Sequence, residues 1–147
     1  MFVETIFPTL QKRLVTIDAS APARQAAELM LDRRVDLLVV CDASGKLNGV
    51  VTKTDLVRQI GKCAGSACLA AVSTISTRDV VMCRPLDLMR DAWTQMKARS
   101  LRNIPVIDDN SVVVGVLNAR DALDLLRQEA EYDEGLLRDY VMCAGYH

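Results

Sequence analysis

The sequence predicts an α/β (α+β) fold in which two β-α-β-β-α subdomains pack sheet to sheet with pseudo-two-fold symmetry. One observation is a repeat: GVVTKTDL at residues 49–56 recurs 66 positions later as GVLNARDA at residues 115–122. The other is that strand-like and helix-like periodicities follow the same order around each copy. One unit of about 50 residues would bury too little surface to be stable alone, so the two copies are expected to share a core.

The repeat extends well beyond these two segments. With the same shift and no gap, ten residues of the first copy are identical to their counterparts in the second. They are Val15, Arg24, Ala26, Met30, Arg33, Val40, Asp42, Gly49, Val50 and Asp55. So many identities at one fixed spacing indicate an internal duplication of a supersecondary unit.

Each copy begins with a short strand and an amphipathic helix. The strands, LVTID at 14–18 and VVMC at 80–83, are rich in β-branched residues. The helix of the second copy has an apolar stripe that includes Trp93 and Met96, and the first copy has an equivalent stripe around Ala26. The Trp93 and Met96 stripe is expected to be core or dimer surface.

A hairpin and a second helix complete each copy. The apolar runs at 36–41 and 103–107 are typical of buried strands. The Asp, Asn, Ser and Gly residues that follow them predict turns. A third strand, LNGVVT or VVVGVLN, then leads directly into a helix.

These elements divide the chain into four segments: a first subdomain at 10–60, a linker at 61–76, a second subdomain at 77–128 and a C-terminal helical tail at 129–147. The linker is apolar enough to pack against the body. The tail carries one apolar stripe, which predicts that it packs against the body or against a second subunit. That stripe is formed by Leu136, Leu137, Tyr140 and Val141.

The composition argues against several functions. Eighteen basic and nineteen acidic residues leave a net charge of -1, so no basic surface is expected for nucleic acid or for anionic lipid. The longest apolar run, 37–41, is too short to span a bilayer, and the N-terminus lacks the features of a signal peptide. We therefore expect a cytoplasmic protein with no membrane partner. We also expect no enzyme, because the sequence has no internal histidine, nucleophile-elbow motif or P-loop motif.

The five cysteines are expected to be reduced thiols. Cys41 and Cys83 fall in strand-like runs and are interpreted as small core residues. A zinc site at Cys63 and Cys68 is disfavoured, since the only histidine is His147 at the end of the chain. A redox role for Cys63 and Cys68 stays open as an alternative.

The repeated motif combines a glycine in a strand with a polar pair at the strand end. Glycine weakens a strand unless another backbone or a ligand must come close, which applies to Gly49 and Gly115. Thr52 and Asp55 lie where a strand passes into a helix, and the free N–H groups of a helix start favour a phosphate. Thr52 can offer a hydroxyl to that phosphate, and Asp55 can accept the two hydroxyls of a ribose. Ordinary helix capping is the alternative for this pair.

The segments LVVCDASGKLNGVVTKTDL and IPVIDDNSVVVGVLNARDA resemble a tandem pair of CBS domains, also called a Bateman module, over about residues 10–128. The resemblance implies two ligand clefts between the copies. Each would take its Thr/Asp pair from one copy and backbone edges from the other. Cleft one would contain Thr52, Lys53, Asp55, Val80, Arg102, Asn103 and Ile104. Cleft two would contain Leu14, Asp36, Leu37, Leu38, Asn118, Arg120 and Asp121.

The two predicted clefts are not equivalent. Asn118 replaces the threonine in cleft two, although its amide can still donate to a phosphate oxygen. Arg120 suits a phosphate, or is simply a solvated surface arginine. In cleft one, Lys53 either contacts a ligand or points into solvent.

The resemblance implies a regulatory module that binds an adenosine-containing ligand: AMP, ADP, ATP, S-adenosyl methionine or a dinucleotide. The ligand would be a regulatory nucleotide and not an obligatory cofactor, and no metal is expected. Output would pass through a homodimer or through an unidentified target protein. The alternative is a ligand-free dimerisation scaffold.

Overall fold

A computed structural model describes residues 1–62 and 69–145. Its elements are a 3-10 turn Val3–Ile6, α1 Phe7–Arg13, β1 Thr16–Asp18, α2 Ala23–Arg33, β2 Leu37–Cys41, β3 Leu47–Thr52, α3 Lys53–Lys62, α4 Val72–Ile75, α5 Met89–Ala98, β4 Asn103–Ile107, β5 Val113–Asn118 and α6 Ala119–Gly145. Cys63, Cys68 and His147 lie outside the described residues, so what was expected of them stays a prediction.

The two hairpins have the same register. β2 pairs antiparallel with β3, with Leu37 opposite Thr52, and β4 pairs antiparallel with β5, with Asn103 opposite Asn118. The pairing shifts by one residue at the equivalent place in each copy. The duplication read from the sequence is therefore present in the backbone.

The first strands of the two copies differ. β1 runs parallel to β2 and makes a three-stranded sheet, whereas β4 and β5 form a sheet of two strands. The predicted strand at 80–83 is reduced to a single parallel bridge between Cys83 and Val106. That bridge is the repeat counterpart of the pairing of Ile17 with Val40 in β1 and β2. The strand prediction for 80–83 is wrong beyond this one pair.

Pro105 explains the lost strand. In the first copy the Val39 N–H donates to the Val15 carbonyl at 2.9 Å and holds β1 against β2. The repeat places Pro105 at the position of Val39, and proline has no N–H to donate. The Cys83 N–H still donates to the Pro105 carbonyl at 3.0 Å, so the bridge survives.

The two sheets face each other across a shared core. Lys46 forms an antiparallel bridge with Val112, its own repeat counterpart, so the local pseudo-two-fold axis passes between them. The prediction of two subdomains packed sheet to sheet is confirmed. The buried residues of the shared core are Leu37, Val39, Val50, Ile107, Val113 and Val116.

The segment before the first subdomain packs in the core of the second, and the segment before the second packs in the core of the first. We call these two the exchanged segments. Val3 is fully buried in the core of the second copy, and Val72 of α4 is fully buried in the core of the first. The Val3 N–H donates to the Asp87 carbonyl and the Val72 N–H to the Ala21 carbonyl, and these acceptors are repeat counterparts. The predicted start at residue 10 therefore leaves out Val3, and the predicted linker at 61–76 contains Val72, although both residues belong to the core of a subdomain.

The two exchanged segments differ in length by three residues. Val3 and Val72 are 69 positions apart, whereas the repeat beyond them is spaced by 66. The N-terminal segment uses the extra residues to form α1, which packs on β5. The other segment is extended there and pairs Thr77 with Val50.

Gly49 and Gly115 lie where these segments cross the sheets. A Cβ on Gly49 would lie 2.7 Å from the Thr77 carbonyl oxygen, and one on Gly115 would lie 2.7 Å from Leu10 Cβ. The sequence left open whether a ligand or another part of the chain approaches these glycines. The structure places the exchanged segments there.

The C-terminal tail continues the last helix of the second subdomain. α6 runs unbroken from Ala119 to Gly145, so the predicted boundary after residue 128 falls inside a helix. In this helix the side chains of Leu136, Leu137 and Val141 are 51%, 65% and 59% exposed. Within the described residues, no helix combines the length and hydropathy needed to cross a bilayer.

Candidate functional site

A cavity of about 860 Å³ opens between the two subdomains, and its volume is that of a small-molecule site. One wall is formed by the ends of β2 and β3 and the start of α3, and the other by residues near Thr77 and Val81 and by the turn before β4. It is cleft one. Six predicted residues line it: Thr52, Lys53, Asp55, Val80, Arg102 and Asn103.

Ile104 differs from this set. Its side chain is 1% exposed and packs in the core of the second subdomain. Successive side chains of a strand point to opposite faces, so its neighbours Asn103 and Pro105 line the cavity instead. Only the backbone of Ile104 is left for the predicted role.

Thr52 and Asp55 form a reciprocal capping box at the start of α3. The Thr52 N–H donates to Asp55 Oδ2 at 2.9 Å, and the Asp55 N–H donates to Thr52 Oγ1 at 3.2 Å. The capping alternative is therefore realised in the structure. It leaves Asp55 Oδ1, which pairs with the Arg58 guanidinium at 3.5 Å.

Positive groups border the cavity on both sides. Lys53 pairs with Asp36 at 2.9 Å at the surface, where both side chains are more than half exposed. Arg99 and Arg102 line the opposite wall, and neither has an ion pair or side-chain hydrogen bond with the residues described. The guanidinium group of an arginine suits a phosphate.

The start of β2 lines cleft one, although the sequence assigned it to cleft two. Asp36 and Leu37 line the cavity. The reason is the hairpin register, which places Leu37 directly opposite Thr52. Leu38 points the other way and is fully buried in the core of the first subdomain.

In the predicted cleft two, Asp121 is ion-paired with a side chain of the protein itself. The Arg13 Nε donates to Asp121 Oδ2, and the Arg13 Nη2 donates to Asp121 Oδ1 at 3.0 Å. The Asp121 side chain is 15% exposed and that of Arg13 is 39% exposed. Asp121 thus has a very different partner from Asp55, its repeat counterpart.

The other cleft-two residues are also engaged locally. The Asn118 amide donates to Asn103 Oδ1 at 2.9 Å, and its own Oδ1 accepts the Arg120 backbone N–H at 2.9 Å. The Arg120 side chain is exposed, as in the surface alternative. Leu14 packs half-buried against the shared core.

Sequence reasoning missed Arg13, Asp79 and Arg99. Asp79 and Arg99 line cleft one, and Arg13 pairs with Asp121 of the predicted cleft two. A signal for Arg13 existed in the pair VETI at 3–6 and VSTI at 72–75, which marks the exchanged segments. Its spacing differs from that of the main repeat, so an ungapped comparison does not find it.

A second cavity of about 410 Å³ lies near Asp18 and Asp42. Hydrogen bonds from the Ser20 N–H and hydroxyl lower the pKa of Asp18. Hydrogen bonds from the Ser44 hydroxyl and the Lys46 N–H lower the pKa of Asp42. Each carboxylate is satisfied within its own turn. No group of three or more potential metal ligands occurs in the described part of the chain.

Cys83 and Cys41 are free thiols that serve as packing groups. Burial, and then the charge of Asp87, raises the pKa of Cys83 to about 12. Burial, followed by the charge of Asp42, raises the pKa of Cys41. The interpretation of Cys83 as a core residue is confirmed, and Cys41 is half-buried at the edge of the shared core.

A sequence model of the CBS domain matches residues 3–62 and 72–128. Its two starting points coincide with Val3 and Val72, the anchors of the exchanged segments. The family model thus includes residues 3–9 and 72–76, which the domain boundaries predicted from the sequence left out of the two subdomains.

Two curated proteins illustrate the sequence relatives. The chain is 31% identical over 104 residues to a homoserine O-acetyltransferase from Methanocorpusculum labreanum, a match that covers 71% of this chain and 20% of that protein. It is 24% identical over 132 residues to a glycine betaine/carnitine/choline transport ATP-binding protein from Bacillus subtilis, covering 90% and 33%. The chain therefore spans about a fifth to a third of these relatives.

Solved structures share the fold. The CBS-domain containing protein ATU1752 from Agrobacterium tumefaciens has a TM-score of 0.75 at 23% identity, covering 85% of this chain and 98% of that one. CBSX2 in complex with AMP has a TM-score of 0.75 at 23% identity, covering 88% and 99%. The CBS domain pair of protein MJ0100, in complex with 5′-methylthioadenosine and S-adenosyl-L-methionine, has a TM-score of 0.74 at 22% identity, covering 88% and 98%.

Proposed function

Because the chain belongs to the CBS-domain family, we propose that it is a regulatory module that binds an adenosine-containing ligand in cleft one. The observation that carries the proposal is the position of Asp55, whose carboxylate lines a cavity of about 860 Å³ between the two subdomains. That carboxylate caps α3 with one oxygen only. Its other oxygen can accept ribose hydroxyl groups in place of the exposed Arg58 side chain.

We assign the phosphate end of the ligand to Arg99 and Arg102. Both line the cavity without an ion pair among the described residues. A phosphate between them would gain charge-assisted hydrogen bonds. AMP is the first choice of ligand. ADP, ATP and a dinucleotide share this chemistry, and S-adenosyl methionine would use the same ribose contact without a phosphate.

Support for an adenosine ligand also comes from the fold neighbours, which bind AMP in CBSX2 and two adenosine-containing molecules in MJ0100. We propose no catalytic role, since Asp55 is engaged in capping and the described lining offers no nucleophile paired with a base. The nucleotide acts as a regulatory ligand and not as a cofactor. We place the protein in the cytoplasm.

The output of the module is proposed to pass through a homodimer or a target protein. α3 exposes Val57 by 69% and Ile60 by 68%, and the counterpart of Val57 on α6, Leu123, is 48% exposed. Two helices related by the repeat thus present apolar groups on the outside of the molecule. A second copy is the partner that we propose for them.

The proposal is tested by calorimetric titration of the purified chain with AMP, ADP, ATP and S-adenosyl methionine. Binding of at least one of them is expected, and Asp55→Ala is expected to weaken it about ten- to a hundredfold. Arg90→Ala, an exposed change on α5, serves as the control. Failure of all four ligands to bind would favour the alternative, a ligand-free dimerisation scaffold.

A further inference from the structure

The two clefts carry opposite charges at one equivalent position. Asp79 lines cleft one. The repeat, at its spacing of 66, places Arg13 at the same position of cleft two. Cleft one therefore has acidic residues, Asp55 and Asp79, at the two positions where cleft two has the ion pair of Arg13 with Asp121.

The backbone holds Arg13 in this position. The N-terminal segment is three residues longer than its counterpart and forms the seven-residue helix α1, of which Arg13 is the last residue. Leu10 of the same helix lies against Gly115, where an added Cβ would come within 2.7 Å of Leu10 Cβ. The Leu10 side chain is fully buried, so α1 is fastened to β5 just before its final turn.

The ion pair uses both acceptor oxygens of Asp121. Arg13 Nε and Nη2 each contact a different oxygen, in the bidentate geometry that carboxylates favour. A ribose that binds Asp121 would have to displace at least one of these two contacts. Asp55 is less committed, because only one of its oxygens caps the helix and the Arg58 contact at 3.5 Å is made by a side chain that is 60% exposed.

We propose that Arg13 is an internal occupant of cleft two, which competes with the ribose of an adenosine ligand for Asp121. The chain then binds a single equivalent of ligand, in cleft one, and Arg13 determines this stoichiometry. The inference rests on the proposed function for the nature of the ligand. The ion pair itself does not depend on the proposed function, because it is present in the chain without ligand.

The test measures AMP stoichiometry by calorimetry at ligand concentrations up to the millimolar range. The wild type is expected to bind one equivalent per chain. Arg13→Ala is expected to bind two, with the affinity of the new site raised at least tenfold over wild type. Arg13→Ala/Asp55→Ala should keep only the new site, and Arg13→Ala/Asp121→Ala should return to one equivalent. Lys12→Ala, the exposed neighbour on α1, should behave as wild type.

Two equivalents in the wild type, or weaker binding in Arg13→Ala, would overturn the inference and leave the proposed function standing. Absence of binding of AMP, ADP, ATP and S-adenosyl methionine, in the wild type and in Arg13→Ala alike, would contradict both. Arg13→Gln, which keeps most of the side chain but removes its charge, replaces Arg13→Ala if that variant does not fold.

A second measurement needs no ligand. In a double-mutant cycle, the melting temperatures of Arg13→Ala, Asp121→Ala and the double variant report the coupling of the two side chains. The double variant is expected to be less destabilised than the sum of the single ones, and the difference should shrink in 1 M salt. If the destabilisations of the two single variants are strictly additive at low salt, the proposal that Arg13 occupies cleft two is wrong.

Discussion

Thr52 and Asp55 cap the same helix turn reciprocally, through hydrogen bonds of 2.9 Å and 3.2 Å between each backbone N–H and the other side chain. The pair that marks the proposed ribose site is thus also a structural element of α3. A substitution at either residue changes stability as well as binding, and the two effects have to be measured separately.

Thr52→Ala and Asp55→Ala are each expected to lower the free energy of unfolding by about 0.5–2 kcal/mol, because each removes one half of the cap. Thermal unfolding without ligand measures this effect. In calorimetry, 2′,3′-dideoxy-AMP should bind the wild type more weakly than AMP does, while Asp55→Ala should discriminate little between them. Equal discrimination in both proteins would show that Asp55 only caps the helix.

Arg102→Ala is expected to weaken AMP about ten- to a hundredfold, since a hydrogen bond to a charged group contributes about 1.5–3 kcal/mol. Adenosine, which lacks the phosphate, should lose little affinity. Arg90→Ala is the matched control, as it removes the same charge from an exposed position on α5. Equal losses for AMP and adenosine would place Arg102 away from the phosphate.

Gly49→Ala and Gly115→Ala are each expected to destabilise the fold by about 1–3 kcal/mol, because the added methyl group overpacks a closed contact. In Gly49→Ala the obstacle is a backbone carbonyl, which cannot move without its strand. Gly61 has nothing within 4 Å of an added Cβ. Urea unfolding measures the stability of all three variants, and Gly61→Ala should be neutral or slightly stabilising. A loss of stability in Gly61→Ala comparable to that in Gly49→Ala would contradict this account.

Cys83 is expected to make stability depend on pH under alkaline conditions. Burial raises its pKa from 9.0 to about 12 in the folded chain. The unfolded chain therefore loses the thiol proton first, so the contribution of Cys83 is complete below pH 9 and is lost as the pH rises from 9 towards 12. Urea unfolding should show a steeper alkaline decline for the wild type than for Cys83→Ala. Parallel curves would contradict the buried thiol.

The homodimer is expected at micromolar concentration in light scattering. Ile60→Asp places a charge on the exposed apolar face of α3 and should yield a monomer with an unchanged melting profile at low concentration. Lys62→Glu changes the charge of the same helix outside that face and should stay dimeric. A wild-type monomer, or a dimer in Ile60→Asp, would remove α3 from the interface.

The sequence by itself determined the order of strands and helices within the two repeats, apart from the strand at 80–83. Both predicted hairpins form, because apolar strand residues and turn residues act over a few neighbouring positions. The pairing of Thr52 with Asp55 was equally readable, since a capping box spans four consecutive residues. The CBS resemblance placed six of the cleft-one residues in one cavity, because they belong to the repeated motif and to its pseudo-two-fold partner.

Only the tertiary structure decided which segment covers which sheet. Val3 and Val72 each pack on the subdomain that follows the other, and no local pattern specifies that exchange. The loss of the strand at 80–83 depends on Pro105 and a partner more than twenty positions away in the chain. The ion pair of Arg13 with Asp121 spans 108 positions. Such contacts depend on how the two sheets pack around their shared core. The sequence pattern is local and does not specify which distant residues this packing brings together.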